Sequence, residues 1–177
     1  MKRMKFWTFG AALALSACGG TTANEAAPAP SAAAPAPGAR LASLPWAGFY
    51  QKANEEYSAG NRDEAVTFFY VGQLRGRVVV ACQNMPRDRD PALLASLNDS
   101  VGRVMNEYAG GSPSGWAAAI DRALAYDAAN PDPNAPSAEC LAERERQRAG
   151  LTELRDHILA NVDQIREQRT ANGLPNR

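Results

Sequence analysis

An all-α fold is what this sequence predicts, an irregular bundle of five or six helices over roughly residues 44–177. Three observations carry that expectation. Apolar residues recur at helical spacing through nearly the whole region. Helix start and stop signals punctuate it, and no pair of alternating strands can be read anywhere.

The first helix is predicted from about Pro45 to Ala59. Trp46, Phe49, Ala53 and Tyr57 fall on one face, and Gly60 is a natural stop. The second starts at Asn61, where Asn61-Arg62-Asp63-Glu64 has the form of a cap with an acidic residue three places on. Its stripe is Ala65, Phe68, Phe69, Gly72, Val79 and Val80, and Gly72 on that stripe implies close approach by another helix. Val78-Val79-Val80 has strand propensity, but no breaker precedes it, so the helix is expected to continue through it. QNMPRDRD (Gln83 to Asp90) reads as a loop.

Asp90-Pro91 is a strong third start, a capping carboxylate followed by proline at the first helical position. Leu93, Leu97, Val101, Val104, Met105 and Tyr108 are expected to line its buried face, and Gly110-Gly111 to end it. The fourth helix begins near Ser112-Pro113 or Ser114 and carries Trp116, Ile120, Ala123 and Leu124. Asn130 to Pro136, NPDPNAP, breaks it. The last helix runs from about Ser137 to Thr170 with a seam of Leu151, Leu154, Ile158, Val162 and Ile165. Gly150 is the expected place for a kink or split. The ERERQR run, Glu143 to Arg148, reads as a solvated face with i,i+3 and i,i+4 pairing.

Residues 46–75 hold a further pattern. Phe49, Ala53 and Tyr57 are followed by GNRDEAVTFF with Ala65 and Phe69, which resembles one tetratricopeptide-type helical hairpin. The family pattern has a large residue where Lys52 stands, and no second copy follows at the 34-residue period. Such stacks need about three repeats to support themselves. The expected architecture is therefore an irregular bundle with one repeat-like hairpin.

The start of the chain has another texture. Lys2, Arg3 and Lys5 precede FWTFGAALAL, the n-region and h-region of a secretory signal over residues 1–17. Ten such residues are about half of a membrane-spanning helix. Leu15-Ser16-Ala17-Cys18 resembles the bacterial lipobox. That resemblance implies a diacylglyceryl thioether on Cys18, cleavage before it and further acylation of the new amino group, with the membrane as a partner through the lipid. Two or three long chains, at about 0.8 kcal/mol per buried methylene, make a durable anchor. In lipoproteins an aspartate after the cysteine marks retention in the inner membrane. Gly19 stands there instead, which implies the outer membrane, with the domain facing the periplasm. Residues 18–43, rich in Ala, Pro, Gly and Thr, read as a disordered tether biased toward polyproline II, and residues 44–177 as the helical domain.

The charge balance excludes a class of partner. Acidic and basic residues number nineteen each, and removal of the signal takes three of the basic ones, leaving a net charge near −3. No basic excess remains to drive binding to nucleic acid. Two of the three cysteines remain for the domain, and in an oxidising compartment Cys82 and Cys140 are expected to pair.

Chemistry-bearing motifs are few. The single histidine, His157, borders the apolar seam and reads as a partly buried structural residue. There is no CxxC or HxxxH spacing for a metal, no GxSxG, Walker or GxGxxG motif, and neither a cofactor nor a catalytic residue is expected. Glu55, Glu56, Asp63, Glu64, Glu107, Asp121 and Asp127 leave a glycosidase-type carboxylate pair open. FFYVGQLRGR (Phe68 to Arg77) offers Tyr70, Gln73, Arg75 and Arg77 off the main stripe, a candidate protein-interaction surface. The expected function is a non-enzymatic, membrane-tethered module that binds an envelope protein. The alternatives are an immunity-type inhibitor of a toxin delivered to the periplasm, and an envelope enzyme acting on peptidoglycan or lipid.

Overall fold

The computed structural model describes residues 44–82, 90–135 and 137–177. The predicted signal peptide, Cys18, the tether and positions 83–89 of the predicted loop lie outside the described residues. Six helices follow in chain order: α1 (Trp46–Ser58), α2 (Arg62–Ala81), α3 (Pro91–Gly110), α4 (Pro113–Ala129), α5 (Ala138–Ala160) and α6 (Val162–Ala171). No strand occurs among the described residues, so the domain is all-α as expected.

The local signals act where they were expected. The Asp90 side chain accepts from Leu93 N at 2.7 Å, Ser112 Oγ from Gly115 N at 3.3 Å, and Ser137 Oγ from Cys140 N at 3.2 Å. Each satisfies an amide that the first helical turn leaves unpaired. Gly60 leaves α1 at φ +90°, a backbone conformation that glycine adopts without penalty. Asn61 departs from its expected role. Its amide donates to Glu56 Oε2 at 2.7 Å and makes no side-chain cap for α2. Val78-Val79-Val80 is helical.

The centre of the molecule is α2. It packs against α1, α3, α4 and α5, and the α1–α2 pair is the most extensive. Thirteen of its twenty residues are buried, which is too many for one face. Close approach is possible because a Cβ at Gly72 would lie 3.0 Å from Phe49 Cβ and Tyr50 Cδ2. At Gly76 it would lie 2.8 Å from Leu94 Cδ1 and 2.9 Å from Trp46 Cε3. The two glycines thus seat α1 and α3 directly on the α2 backbone.

The buried face of α3 agrees with the expected one at Leu97, Val101, Met105 and Tyr108 and departs from it at two residues. Leu94, Val101, Met105 and Ala109 face the core, while Leu93 and Val104 are each 40% exposed. The buried face carries Asn98, Gly102 and Asn106 between its apolar residues, so apolar spacing finds Leu97, Val101, Met105 and Tyr108 but takes in Leu93 and Val104 as well. Asn98 Oδ1 accepts from Tyr50 OH and Gln73 Nε2, both at 2.9 Å, and Asn106 Oδ1 accepts from Tyr70 OH at 2.9 Å. Phe69 lies over Gly102, whose Cβ would fall 2.9 Å from Phe69 Cζ.

The final helical run divides at Asn161, not at Gly150. An isolated glycine costs about 1 kcal/mol in a helix but leaves the hydrogen-bond ladder intact. Asn161 instead sits at φ −122° and ψ 27°, and its side chain donates to His157 O at 2.7 Å. That bond competes with the helical ladder and ends it. Leu151 and Ile158 are buried, Leu154 and Ile165 partly so, and His157 is exposed rather than partly buried.

Burial pushes the Tyr50 and Tyr70 hydroxyls well above their ordinary pKa of 10.0, against a smaller opposing effect of Arg77 on each. The Trp116 Nε1–H bond to Tyr70 OH, at 2.6 Å, also favours the phenolate. With folded values raised, the stabilisation is complete below pH 10 and is lost as pH rises above it. Each tyrosine then removes about 1.4 kcal/mol per pH unit, so stability falls by about 2.7 kcal/mol per unit from the pair. Melting temperatures measured between pH 9 and 11 should drop steeply above about 10. A flat profile would show that the phenols ionise in the folded state.

Candidate functional site

The four residues singled out on α2 do not form a surface. Tyr70 is 2% exposed and Arg75 1% exposed, Gln73 is partly buried, and of the four only Arg77 is exposed. Four helices pack around α2, so Tyr70 and Arg75, although off its main stripe, meet a second neighbour and not solvent.

Arg75 enters a buried polar cluster built around Asp127. In α4 that aspartate occupies the position after Ile120, Ala123 and Leu124 on the apolar face, and it is 0% exposed. Arg75 Nε lies 3.6 Å from Asp127 Oδ1. Arg144 Nε and Arg148 Nη1, from α5, donate to Asp127 Oδ2 at 2.8 and 2.9 Å. Arg144 also donates to Asp127 O at 2.6 Å, and Arg148 to Leu124 O at 2.9 Å. Arg75 in turn donates to Asn130 O and lies over the rings of Phe49 and Tyr126, 4.8 and 5.7 Å from their centroids. One carboxylate therefore joins α2, α4 and α5.

This arrangement revises the reading of ERERQR as a solvated face. Arg144 and Arg148 turn inward to Asp127, and Glu143 is buried with Arg146 and Gln147 as partners. Only part of the run follows the expected i,i+3 and i,i+4 pairing.

A cavity of about 240 Å³ adjoins the cluster, lined by Leu74, Val78, Pro133 and Leu141 beside Arg75, Asp127 and Arg144. The guanidinium groups on its wall offer N–H donors and no acceptor. Next to it, Cys82 at the end of α2 and Cys140 in the first turn of α5 form a disulfide with Cα atoms 5.2 Å apart, as expected. Among the described residues no three His, Cys, Asp or Glu side chains gather as metal ligands, and no helix is long and apolar enough to cross a membrane.

A second group of residues was not read as a group from the sequence. Tyr57 near the end of α1 and Tyr108 near the end of α3 meet edge to face, centroids 5.9 Å apart. Arg62, the first residue of α2, places its guanidinium 5.2 Å from the Tyr57 ring and 5.7 Å from the Tyr108 ring. Residues 172–177 fold back after α6. Arg177 N donates to Gly111 O at 2.6 Å, its guanidinium donates to Tyr108 O at 2.9 Å, and that group stacks 3.6 Å from the Tyr108 ring centroid. Tyr108 OH donates to Asp63 Oδ1 at 3.0 Å. Tyr57, Arg62, Tyr108 and Arg177 line, with Arg169 and Glu107, a surface pocket of about 410 Å³. Residues distant along the chain build it, so no local motif announces it. Tyr57 and Tyr108, each placed by the sequence reading on a buried face, are half-buried with exposed arginines beside them. No protein-family model, curated protein or solved structure matches the chain.

Proposed function

We propose that this chain is an envelope lipoprotein, acylated at Cys18 and held to the outer membrane, whose helical domain acts on the periplasmic side as a non-enzymatic protein-binding module. The address rests on the lipobox-like Leu15-Ser16-Ala17-Cys18 and on Gly19 after it. The observation that carries the binding role is the face of Tyr57, Arg62, Tyr108 and Arg177. Half-exposed tyrosine and arginine supply large, rigid contact area together with directed hydrogen bonds, and such side chains dominate the energetics of protein contacts. The face replaces the α2 surface as the contact region.

The test is crosslinking capture from intact envelopes with the tagged, acylated chain, run beside Cys18→Ala and Arg62→Glu forms. A defined partner should be recovered with the native chain, weakened by loss of the anchor and lost with Arg62→Glu. The same proteins recovered from native and Arg62→Glu chains, or none from either, would count against the proposal.

A further inference from the structure

We propose that the pocket between Tyr57, Arg62, Tyr108, Arg169 and Arg177 receives a carboxylate side chain from an acidic segment of the partner protein. The inference rests on the binding-module reading and adds the chemistry of what is bound.

Charge is the first argument. Among the domain's other arginines, Arg75, Arg144 and Arg148 meet Asp127, Arg146 meets Glu143, and Arg155 meets Asp121 and Asp156, while Arg77, Arg103, Arg122 and Arg166 form no ion pair among the described residues. Arg62, Arg169 and Arg177 converge on one pocket from three separate segments, and among the described residues none of them forms an ion pair. Glu107 is the one acid lining the pocket, and Asp63 beside it accepts from Tyr108 OH. Three guanidiniums thus meet there beside two side-chain carboxylates, those of Glu107 and Asp63.

Pre-organisation is the second. Arg177 is fixed at its backbone by Gly111 and at its guanidinium by Tyr108, both through the carbonyl and through ring stacking. Arg169 Nη2 donates to Pro175 O at 2.9 Å, while its Nε is shielded from solvent and has no acceptor among the described residues. A shielded N–H without an acceptor is costly; the remaining guanidinium N–H groups of Arg169 are the ones a ligand can meet in the pocket. Planar guanidinium forks match carboxylate geometry, and holding them in place beforehand reduces the ordering cost of binding.

The pocket's size and rim select a protein segment. About 410 Å³ holds one or two side chains. Val104, 40% exposed, and Pro175 give an apolar border beside the charges, as an interface core has beside its polar contacts. The cavity at Asp127 lacks this character, since its arginines already share a carboxylate.

The experiment is an NMR titration of the 15N-labelled full chain with a blocked tri-glutamate peptide, with tri-glutamine and inorganic phosphate as controls. The Nε–H signals of Arg62, Arg169 and Arg177 and the Tyr108 amide should shift saturably with tri-glutamate, at a Kd on the order of 1 mM. Arg62→Gln and Arg177→Gln should each weaken that binding about tenfold. Both side chains are exposed, and unchanged signals elsewhere would show that the variants stay folded. Equal shifts with tri-glutamine, tighter saturation by phosphate, no shift, or binding unaffected by the two variants would overturn the proposal. A partner still captured by an Arg62→Gln, Arg177→Gln double variant would overturn this pocket and leave the binding-module reading standing. No partner captured by the native chain would remove that reading, whatever the peptide does.

Discussion

Asp127→Asn should lower the free energy of unfolding by about 3–5 kcal/mol, as seen when one partner of a buried ion pair is removed. Asparagine keeps the shape of the side chain, so no cavity contributes. What changes is charge. Arg75, 1% exposed, keeps its guanidinium in the interior, and Arg144 and Arg148 lose the oxygen that both share. Domains of this kind are stable by about 5–15 kcal/mol in all, so a loss of this size moves the urea midpoint far toward zero. Urea unfolding followed by tryptophan fluorescence measures it directly. A loss below about 1 kcal/mol would mean that water reaches the arginines and replaces the carboxylate. Replacing Asp127 and Arg75 together by leucine and methionine should recover part of the loss, because the remaining arginines can turn outward from partly exposed positions.

The second large effect is expected from the disulfide. Changing Cys82 and Cys140 together to serine should cost about 4 kcal/mol, the loop-closure value for a link across 58 positions. Both sulfurs are buried, so each serine hydroxyl adds a desolvation penalty to the entropic loss. Urea midpoints of the native chain with and without a thiol reductant, beside the double variant, separate these terms. Matching midpoints under all conditions would show that the bond does not constrain the unfolded chain. Cys140 and Arg144 stand one turn apart on α5, so the link and the Asp127 cluster hold the same half-helix to the core. The two substitutions are therefore expected to be non-additive, the second costing less once the first has loosened α5.

Much of the fold was legible because its determinants are local. Asp90, Ser112 and Ser137 cap helices through amides three residues away, and Gly60 ends α1 through its own dihedral. The errors came where tertiary contacts decide. Counting apolar residues placed Leu93 and Val104 inside α3, because the true inner face spends Asn98, Gly102 and Asn106 on Tyr50, Gln73, Tyr70 and Phe69. Tyr70 and Arg75 looked available only while α2 was assumed to have a wet side. Asp127 did leave a trace in the sequence, an acidic residue in register with Ile120, Ala123 and Leu124, and a charge at such a position requires partners. The arginines that answer it were hidden in a run that looks soluble. The Tyr57, Arg62, Tyr108 and Arg177 face left no trace, since the return of residues 172–177 to α3 is set by contacts at Gly111 and Tyr108.

Enclosure of α2 also shapes how the molecule comes apart. A helix covered by four others cannot peel away, and none of its covering helices can leave without uncovering apolar surface on α2. The centre should then open only when the whole domain unfolds, so the described domain behaves as one cooperative unit. The exception is α6, which buries no residue fully and can fray while the rest stays closed. The pocket's arginines therefore come from both extremes of the fold, Arg62 from the enclosed helix and Arg169 and Arg177 from α6 and the segment after it, which Gly111 and Tyr108 tie back to α3.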